Sequence, residues 1–101
     1  MRYGILGDIH GNLTALETVL SCLAKDGVDQ LVSVGDVVGY GAAPSACIQI
    51  LRATDAVVVM GNHDAAVIGQ LDMMYFNAYA KEAALWTQRI VSKEDKAWLG
   101  S

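Results

Sequence analysis

The sequence has few of the features that mark secreted, membrane or nucleic-acid-binding proteins. Its 101 residues include two cysteines without CxxC spacing, which argues against a disulfide-rich secreted domain. Seven Lys and Arg residues form no cluster and the net charge is −4, so we expect no tight binding to a nucleic-acid polymer. The longest apolar run, Ala56–Met60, is far shorter than the roughly 20 residues of a membrane span. Asp8 and His10 interrupt the N-terminal apolar residues before a signal peptide could form, so we expect a cytoplasmic protein that does not contact a membrane.

The composition is that of a folded protein. Apolar residues make up 53% of the chain and charged residues 18%, and the chain has one proline and ten glycines. This composition excludes the disordered and collagen-like classes of protein. We expect residues 1–101 to form a single domain, because the chain is too short for two independent cores. Cys22 and Cys47 lie in apolar helical patterns, and we expect both to pack as small core side chains.

Strand and helix patterns alternate along the chain. Short apolar runs predict strands at Arg2–Gly7, Leu31–Val34 and Ala56–Met60, the third apolar enough to be buried on both faces. Helical spacing, capping residues and Pro44 predict helices that begin near Leu13, Pro44, Asn62, Asn77 and Ser92. Alternation of this kind predicts an α/β fold with a parallel sheet and right-handed crossovers.

Polar residues follow each predicted strand. Asp8, Asp36 and Asn62 come one or two residues after successive strands. Since the carboxyl ends of parallel strands share one edge of the sheet, the three clusters should converge. Asp8 and His10, two residues apart on extended backbone, should point to the same side. This oxygen and nitrogen set without thiolate suits Mn²⁺, Fe, Co²⁺, Ni²⁺ or Zn²⁺ better than a structural zinc site.

Three motifs carry a family resemblance. Gly7–Asn12 (GDIHGN), Gly35–Gly39 (GDVVG) and Gly61–Asp64 (GNHD) resemble, in order and spacing, the first three blocks of the calcineurin-like metallophosphoesterases. The resemblance implies half of a four-layer αββα sandwich and two divalent metal ions, with Mn²⁺ the first choice. It also implies hydrolysis of a phosphomonoester or phosphodiester of a small substrate by a metal-bound hydroxide.

The resemblance also implies roles for individual residues. Asp8 and His10 would bind one metal ion, Asp36 would bridge both, and Asn62 would bind the other. His63 would serve as the acid that protonates the leaving oxygen or stabilises phosphoryl charge, and its neighbour Asp64 could orient the ring.

The sequence departs from the family pattern in two ways. Gly39 and Tyr40 stand where the protein phosphatase branch has Asp-Arg, and Met60 replaces a second arginine, so we expect no protein phosphatase activity. Tyr40 either lines the pocket, where it could stack on a ring, or packs on the sheet edge. The family's later metal-binding histidines are also missing, because His10 and His63 are the chain's two histidines.

So few predicted ligands for two metal ions leave alternatives open. Either the chain is the first half of a longer protein, or a second chain completes the site, or the chain is a non-catalytic scaffold or binding module that keeps the fold. Half of the sandwich would leave an apolar sheet face uncovered, and we expect the missing C-terminal half or a second copy to pack there. Trp86, Trp98 and the Met73–Phe76 cluster are predicted to fill the core or such an interface.

Overall fold

Three parallel strands alternate with helices in the computed structural model, which describes residues 2–100 and confirms the α/β fold. The sheet order is β1-β2-β3, formed by Tyr3–Leu6, Gln30–Ser33 and Val57–Val58. The helices are α1 (Leu13–Lys25), α2 (Pro44–Ala53), α3 (Asn62–Val67), a short 3₁₀ turn (Met73–Tyr75), α4 (Ala78–Ile90) and α5 (Lys93–Leu99).

Capping residues in the sequence define where the helices begin. The side chain of Asn12 accepts from Ala15 N–H at the start of α1, and Asn77 does the same for α4. Ser92 caps α5 through the N–H of Asp95, and Pro44 occupies the first turn of α2, where no intrahelical donor is needed. Each helix therefore begins within a residue of the position that the sequence predicts.

One face of the sheet is buried against the helices. Leu6, Ser33 and Val58 are paired across the three strands and lie on this face. The core around them draws side chains from the helices and from the loop after β2, namely Leu16, Val37, Val38, Cys47, Ile48, Leu51, Val67, Val91 and Leu99. Apolar burial of this kind holds the ends of the strands, and the loops that leave them, in fixed positions.

The other face of the sheet is open. Ile5 is 70% exposed, and Val57 and Val59 are each 56% exposed, with Tyr3 and Val34 beside them. The prediction that the third strand is buried on both faces is therefore wrong, because one face of β3 packs against the core and the other is exposed to solvent. An uncovered apolar sheet face is what the resemblance to half of an αββα sandwich implies.

The two cysteines differ. Cys47 is fully buried in α2, as predicted, whereas Cys22 is exposed on α1, so its predicted core position is wrong. In sequence Cys22 lies between residues of α1 that face the core, but its own side chain is on the solvent side of the helix. An amphipathic helix tolerates a single apolar residue on that side. Between residues 2 and 100, no helix combines the length and apolarity needed to cross a membrane.

Candidate active site

Backbone hydrogen bonds join the loops that follow β1 and β2. The N–H of His10 donates to the carbonyl of Asp36 at 2.8 Å, and the N–H of Gly11 donates to Val37 at 2.8 Å. The N–H of Gly41 then donates back to the carbonyl of His10 at 2.7 Å. These bonds continue the parallel pairing beyond the strands, so the two loops form one surface at the carboxyl edge of the sheet.

Three of the predicted metal ligands meet on this surface. Asp8, His10 and Asp36 each offer a ligand atom, and these atoms all lie within 4.8 Å of one another. Nε2 of His10 is 3.6 Å from Oδ1 of Asp8, whose side chain is 80% exposed. Two carboxylates and an imidazole at this spacing form a donor set suited to a divalent transition metal.

The backbone of all three residues is left-handed. Asp8 has φ 51°, His10 φ 49° and Asp36 φ 56°, and five non-glycine residues in the described chain have positive φ. The sequence-based expectation that Asp8 and His10 lie on extended backbone is therefore wrong, although their side chains do meet. Left-handed residues other than glycine, asparagine and aspartate are uncommon and concentrate at functional sites.

The ring of His10 is oriented by the second loop. Its Nδ1 lies 3.1 Å from the carbonyl oxygen of Val38, so Nδ1 carries the proton and donates to that carbonyl. Nε2 faces Asp8, and in the neutral ring it is the nitrogen that is free to bind a metal. A backbone carbonyl on the second nitrogen is the usual support of a histidine that binds a metal.

The third loop brings its backbone to Asp36. The N–H of His63 donates to Oδ1 of Asp36 at 2.9 Å, and a side chain at Gly61 would overlap the Asp36 carboxyl group. Asn62 lies between these two residues, at the first position of α3, with its side chain exposed. Asn62 is therefore beside the carboxylate predicted to bridge two metals, and its own coordination stays a prediction.

His63 occupies a tight, largely apolar position. Its Nδ1 is buried and has no hydrogen-bond partner among the described residues, and its ring lies 4.8 Å from the rings of His10 and Phe76. Gly39, with φ +96°, packs directly on it, and any side chain there would overlap the ring. Burial lowers the pKa of His63, and the carboxylate of Asp36 offsets part of that shift. At neutral pH the ring is therefore neutral.

Asp64 binds backbone instead of the His63 ring. It is fully buried, and its two carboxylate oxygens accept from the N–H of Val38 and of Gly61, both at 3.1 Å. Burial raises the pKa of this carboxyl group, while the two N–H donors act in the opposite direction. Asp64 was expected to orient the His63 ring, but it accepts no hydrogen bond from that ring and instead connects the second loop to the third.

Aromatic side chains border the site. Tyr40 lies with its ring 5.2 Å from His10, 4.8 Å from His63 and 5.8 Å from Tyr79, against which it stacks. Of its two predicted positions, the one beside the pocket is correct. Phe76 was not predicted from the sequence to lie at the site, because it belongs to the Met73–Phe76 cluster that was expected to fill the core or an interface. It is far from the three motifs in sequence, and its aromatic character alone did not indicate a position beside them.

Comparisons with known proteins agree with this geometry. Residues 1–99 match the family model described as calcineurin-like phosphoesterase. A metallophosphoesterase from Sphaerobacter thermophilus has a crystal structure that matches with a TM-score of 0.81 and 42% identity, over 100% of this chain and 41% of that chain.

Two curated relatives differ in how much of the chain they match. The uncharacterized protein MJ0912 of Methanocaldococcus jannaschii is 39% identical over 97 residues, 96% of this chain and 40% of that protein. Serine/threonine-protein phosphatase 1 of Salmonella typhimurium is 36% identical over 61 residues, 59% of this chain and 28% of that protein. The chain thus spans well under half the length of the relatives that it matches, and it belongs to the calcineurin-like phosphoesterase family.

Proposed function

We propose that this chain supplies the first metal-binding half of a phosphoesterase that hydrolyses a small phosphate ester at a site for two divalent metals. The observation that carries the proposal is the convergence of Asp8, His10 and Asp36, whose ligand atoms lie within 4.8 Å of one another. The donor set fits such ions, because His10 is already oriented by Val38 and directs its Nε2 towards Asp8. Mn²⁺ is our first choice, and two ions are proposed because Asp36 is central to the group.

The contacts of Asp36 support its proposed role as a bridging ligand. One of its oxygens accepts the N–H of His63 at 2.9 Å, which ties the carboxylate to the third loop. Its ligand atom also lies within 4.8 Å of those of Asp8 and His10, and the backbone of Gly61, next to Asn62, packs against it. We propose that Asn62 completes the ligand set of the second ion. Divalent ions so held would acidify a water molecule and neutralise phosphoryl oxygens.

We propose that His63 acts on the phosphoryl group. Because burial lowers its pKa, the ring is neutral at pH 7 and can donate a hydrogen bond more readily than a proton. We therefore propose that His63 donates to a phosphoryl oxygen, and that protonation of the leaving oxygen is a secondary role. Asp64 supports His63 indirectly, through the loop contacts at Val38 and Gly61.

The substrate is proposed to be a small phosphate ester. The similarity to a serine/threonine-protein phosphatase covers 59% of this chain. However, Tyr40 and Met60 occupy the two positions at which that branch carries phosphate-binding arginines. Without those guanidinium groups, this half of the site offers no bidentate clamp for a phosphorylated side chain.

Metal binding tests the proposal directly. Titration calorimetry of the protein with Mn²⁺ should show binding that weakens at least tenfold in Asp36→Asn, since an amide cannot replace a bridging carboxylate. Asp72→Asn is the matched control, because Asp72 is an exposed carboxylate that caps the 3₁₀ turn. Unchanged Mn²⁺ affinity in Asp36→Asn would contradict the site. Hydrolysis of bis(p-nitrophenyl) phosphate should fall in parallel with affinity.

Esters whose leaving groups differ in acidity can distinguish the two proposed roles of His63. A proton donor to the leaving oxygen matters most for poor leaving groups, whereas a donor to the phosphoryl oxygen affects all esters alike. His63→Asn should therefore reduce kcat by a similar factor, on the order of 10²–10³, for aryl and alkyl esters. A loss confined to alkyl esters would establish His63 as the leaving-group acid.

A non-catalytic scaffold is the second candidate. It is favoured by the small donor set, since three His and Asp ligand groups are few for two ions that each prefer about six ligands. A scaffold would show no heat with Mn²⁺ or Zn²⁺ at millimolar concentration, and its unfolding free energy would be independent of added metal.

We further propose that additional chain covers the open sheet face. Relatives extend well beyond the matched region, since this chain covers about 40% of their length. The exposed Ile5, Val57 and Val59 form a continuous apolar surface of the kind that a second sheet would cover. The same segment would be the natural source of further metal ligands.

A further inference from the structure

A groove leads away from the candidate metal site along α4. It has a volume of about 410 Å³ and is lined by Tyr40, Ala42, Tyr79, Glu82, Ala83, Trp86 and Arg89. Five of these residues lie on α4 at spacings of three or four, which places them on one face of the helix. Tyr40 and Ala42, from the loop after β2, form the opposite wall.

The groove is rich in exposed aromatic surface. The chain has two Trp, four Tyr and one Phe, and three of these seven side chains line the groove. Tyr79 is 72% exposed, Tyr40 41% and Trp86 38%. Their exposure in a chain so poor in aromatics is not explained by packing of the core.

The groove is continuous with the site through Tyr40. The ring of Tyr40 lies 4.8 Å from His63 and 5.2 Å from His10, and stacks on Tyr79 with an interplanar angle of 21°. From Tyr79 the α4 face runs for about 15 Å to Arg89 at 1.5 Å per residue. A group that leaves phosphorus on the His63 side would pass directly over Tyr40 into this groove.

The charges in the groove do not favour an anion. Glu82 and Arg89 carry opposite charges, so the walls have no net charge. Recognition would then depend on flat apolar contact, for which tyrosine and tryptophan rings are suited. Phosphate itself would be bound by the metal site and not by the groove.

From this geometry we infer that the α4 groove is the leaving-group subsite and that it selects phosphate esters with planar aromatic leaving groups. Tyr40 and Tyr79 receive the first ring, and Trp86 receives the part of a larger ring system that extends along α4. This inference rests on the proposed function, because it assigns the groove to the leaving group of the same reaction. Tyr40, Tyr79 and Trp86 become specificity-determining residues.

Phenyl phosphate and 2-naphthyl phosphate test the inference, because their leaving groups have similar acidity and differ by one fused ring. With Mn²⁺ present, the protein should show kcat/KM about threefold to tenfold higher for the naphthyl ester, chiefly through KM. Trp86→Ala and Tyr79→Ala should each bring this ratio towards one. Leu85→Ala is the matched control, since Leu85 lies on α4, is 39% exposed and does not line the groove, and its ratio should equal that of the wild type.

A second measurement separates this inference from the proposed function. Calorimetric binding of the two esters, in EDTA and without turnover, should also favour the naphthyl ester by threefold or more, and Tyr79→Ala should remove the preference. If hydrolysis is absent but this preference and its loss are found, the proposed function fails, the assignment to a leaving group fails with it, and the groove stands only as a binding site for planar aromatic rings. If hydrolysis is found while the ratio is near one, or is unchanged in both alanine variants, the subsite is refuted and the proposed function stands.

Discussion

Asp64 should be one of the most important side chains for the stability of the fold, although it lies beside the residues of the candidate active site. Its carboxylate is fully buried and accepts the N–H groups of Val38 and Gly61, each at 3.1 Å. Hydrogen bonds to a charged acceptor contribute about 1.5–3 kcal/mol each, and a buried donor left without an acceptor costs about 1–3 kcal/mol. Burial of the charge, which also raises the pKa of Asp64, offsets part of this gain.

These magnitudes predict that Asp64→Ala lowers the free energy of unfolding by about 3–5 kcal/mol. Asp64→Asn should cost less, about 1.5–3 kcal/mol, because the amide keeps one acceptor oxygen and turns its NH₂ group towards the other donor. A protein of this size has a total stability of about 5–15 kcal/mol, so the alanine variant should lose a large part of its stability and unfold at a clearly lower urea concentration.

Urea denaturation followed by far-ultraviolet circular dichroism measures both variants. The matched control is Asp26→Ala, which removes an exposed carboxylate at the end of α1 and should change stability by less than about 0.5 kcal/mol. The reasoning would be refuted if Asp64→Ala were within 1 kcal/mol of that control, or if the asparagine variant were the less stable of the two.

Four further predictions concern other parts of the fold. Gly39→Ala should weaken Mn²⁺-dependent hydrolysis more than it weakens Mn²⁺ binding in calorimetry, because the added methyl group overlaps His63 and no proposed ligand; equal losses would contradict this. Cys22 should react with iodoacetamide in the native protein and Cys47 should not, since burial raises the pKa of Cys47 to about 11; peptide mass spectrometry would show both. That raised pKa also predicts a stabilising contribution of Cys47 that is complete below pH 9 and lost between pH 9 and 11, up to about 2–3 kcal/mol, measured as the difference from Cys47→Ala. Ile5→Lys on the open face should change stability by less than about 1 kcal/mol, against about 2–5 kcal/mol for Ile48→Ala in the core; a comparable loss in urea denaturation would show that the open face is covered.

The sequence predicted the fold and the place of the site because both depend on local patterns. Capping residues, apolar spacing and the loop glycines were sufficient to locate the alternating elements, and the carboxyl-edge rule brought Asp8 and Asp36 together. What failed was detail that depends on tertiary contacts. The exposure of Val57 depends on what covers the second sheet face, which a strand's own composition does not show.

The chemistry within the site was also only partly predictable. Asp8 and His10 approach each other because their backbone is left-handed, and not because they lie on an extended strand. Hydrogen bonds with the second loop stabilise this backbone conformation. Asp64 was expected to orient His63, but its two oxygens accept the backbone N–H groups of Val38 and Gly61 instead. Contacts between distant loops decide such details, and a single sequence does not record them.

The left-handed conformations of Asp8, His10 and Asp36 link backbone strain to the candidate metal site. His10 carries the largest cost, about 1 kcal/mol or more, because aspartate tolerates positive φ better. Glycine at any of the three positions would relieve the backbone cost and remove a proposed ligand at once. Selection for thermal stability alone would therefore favour loss of these side chains, and a thermostable variant of this chain that keeps all three would be one in which the proposed metal site had been under selection as well.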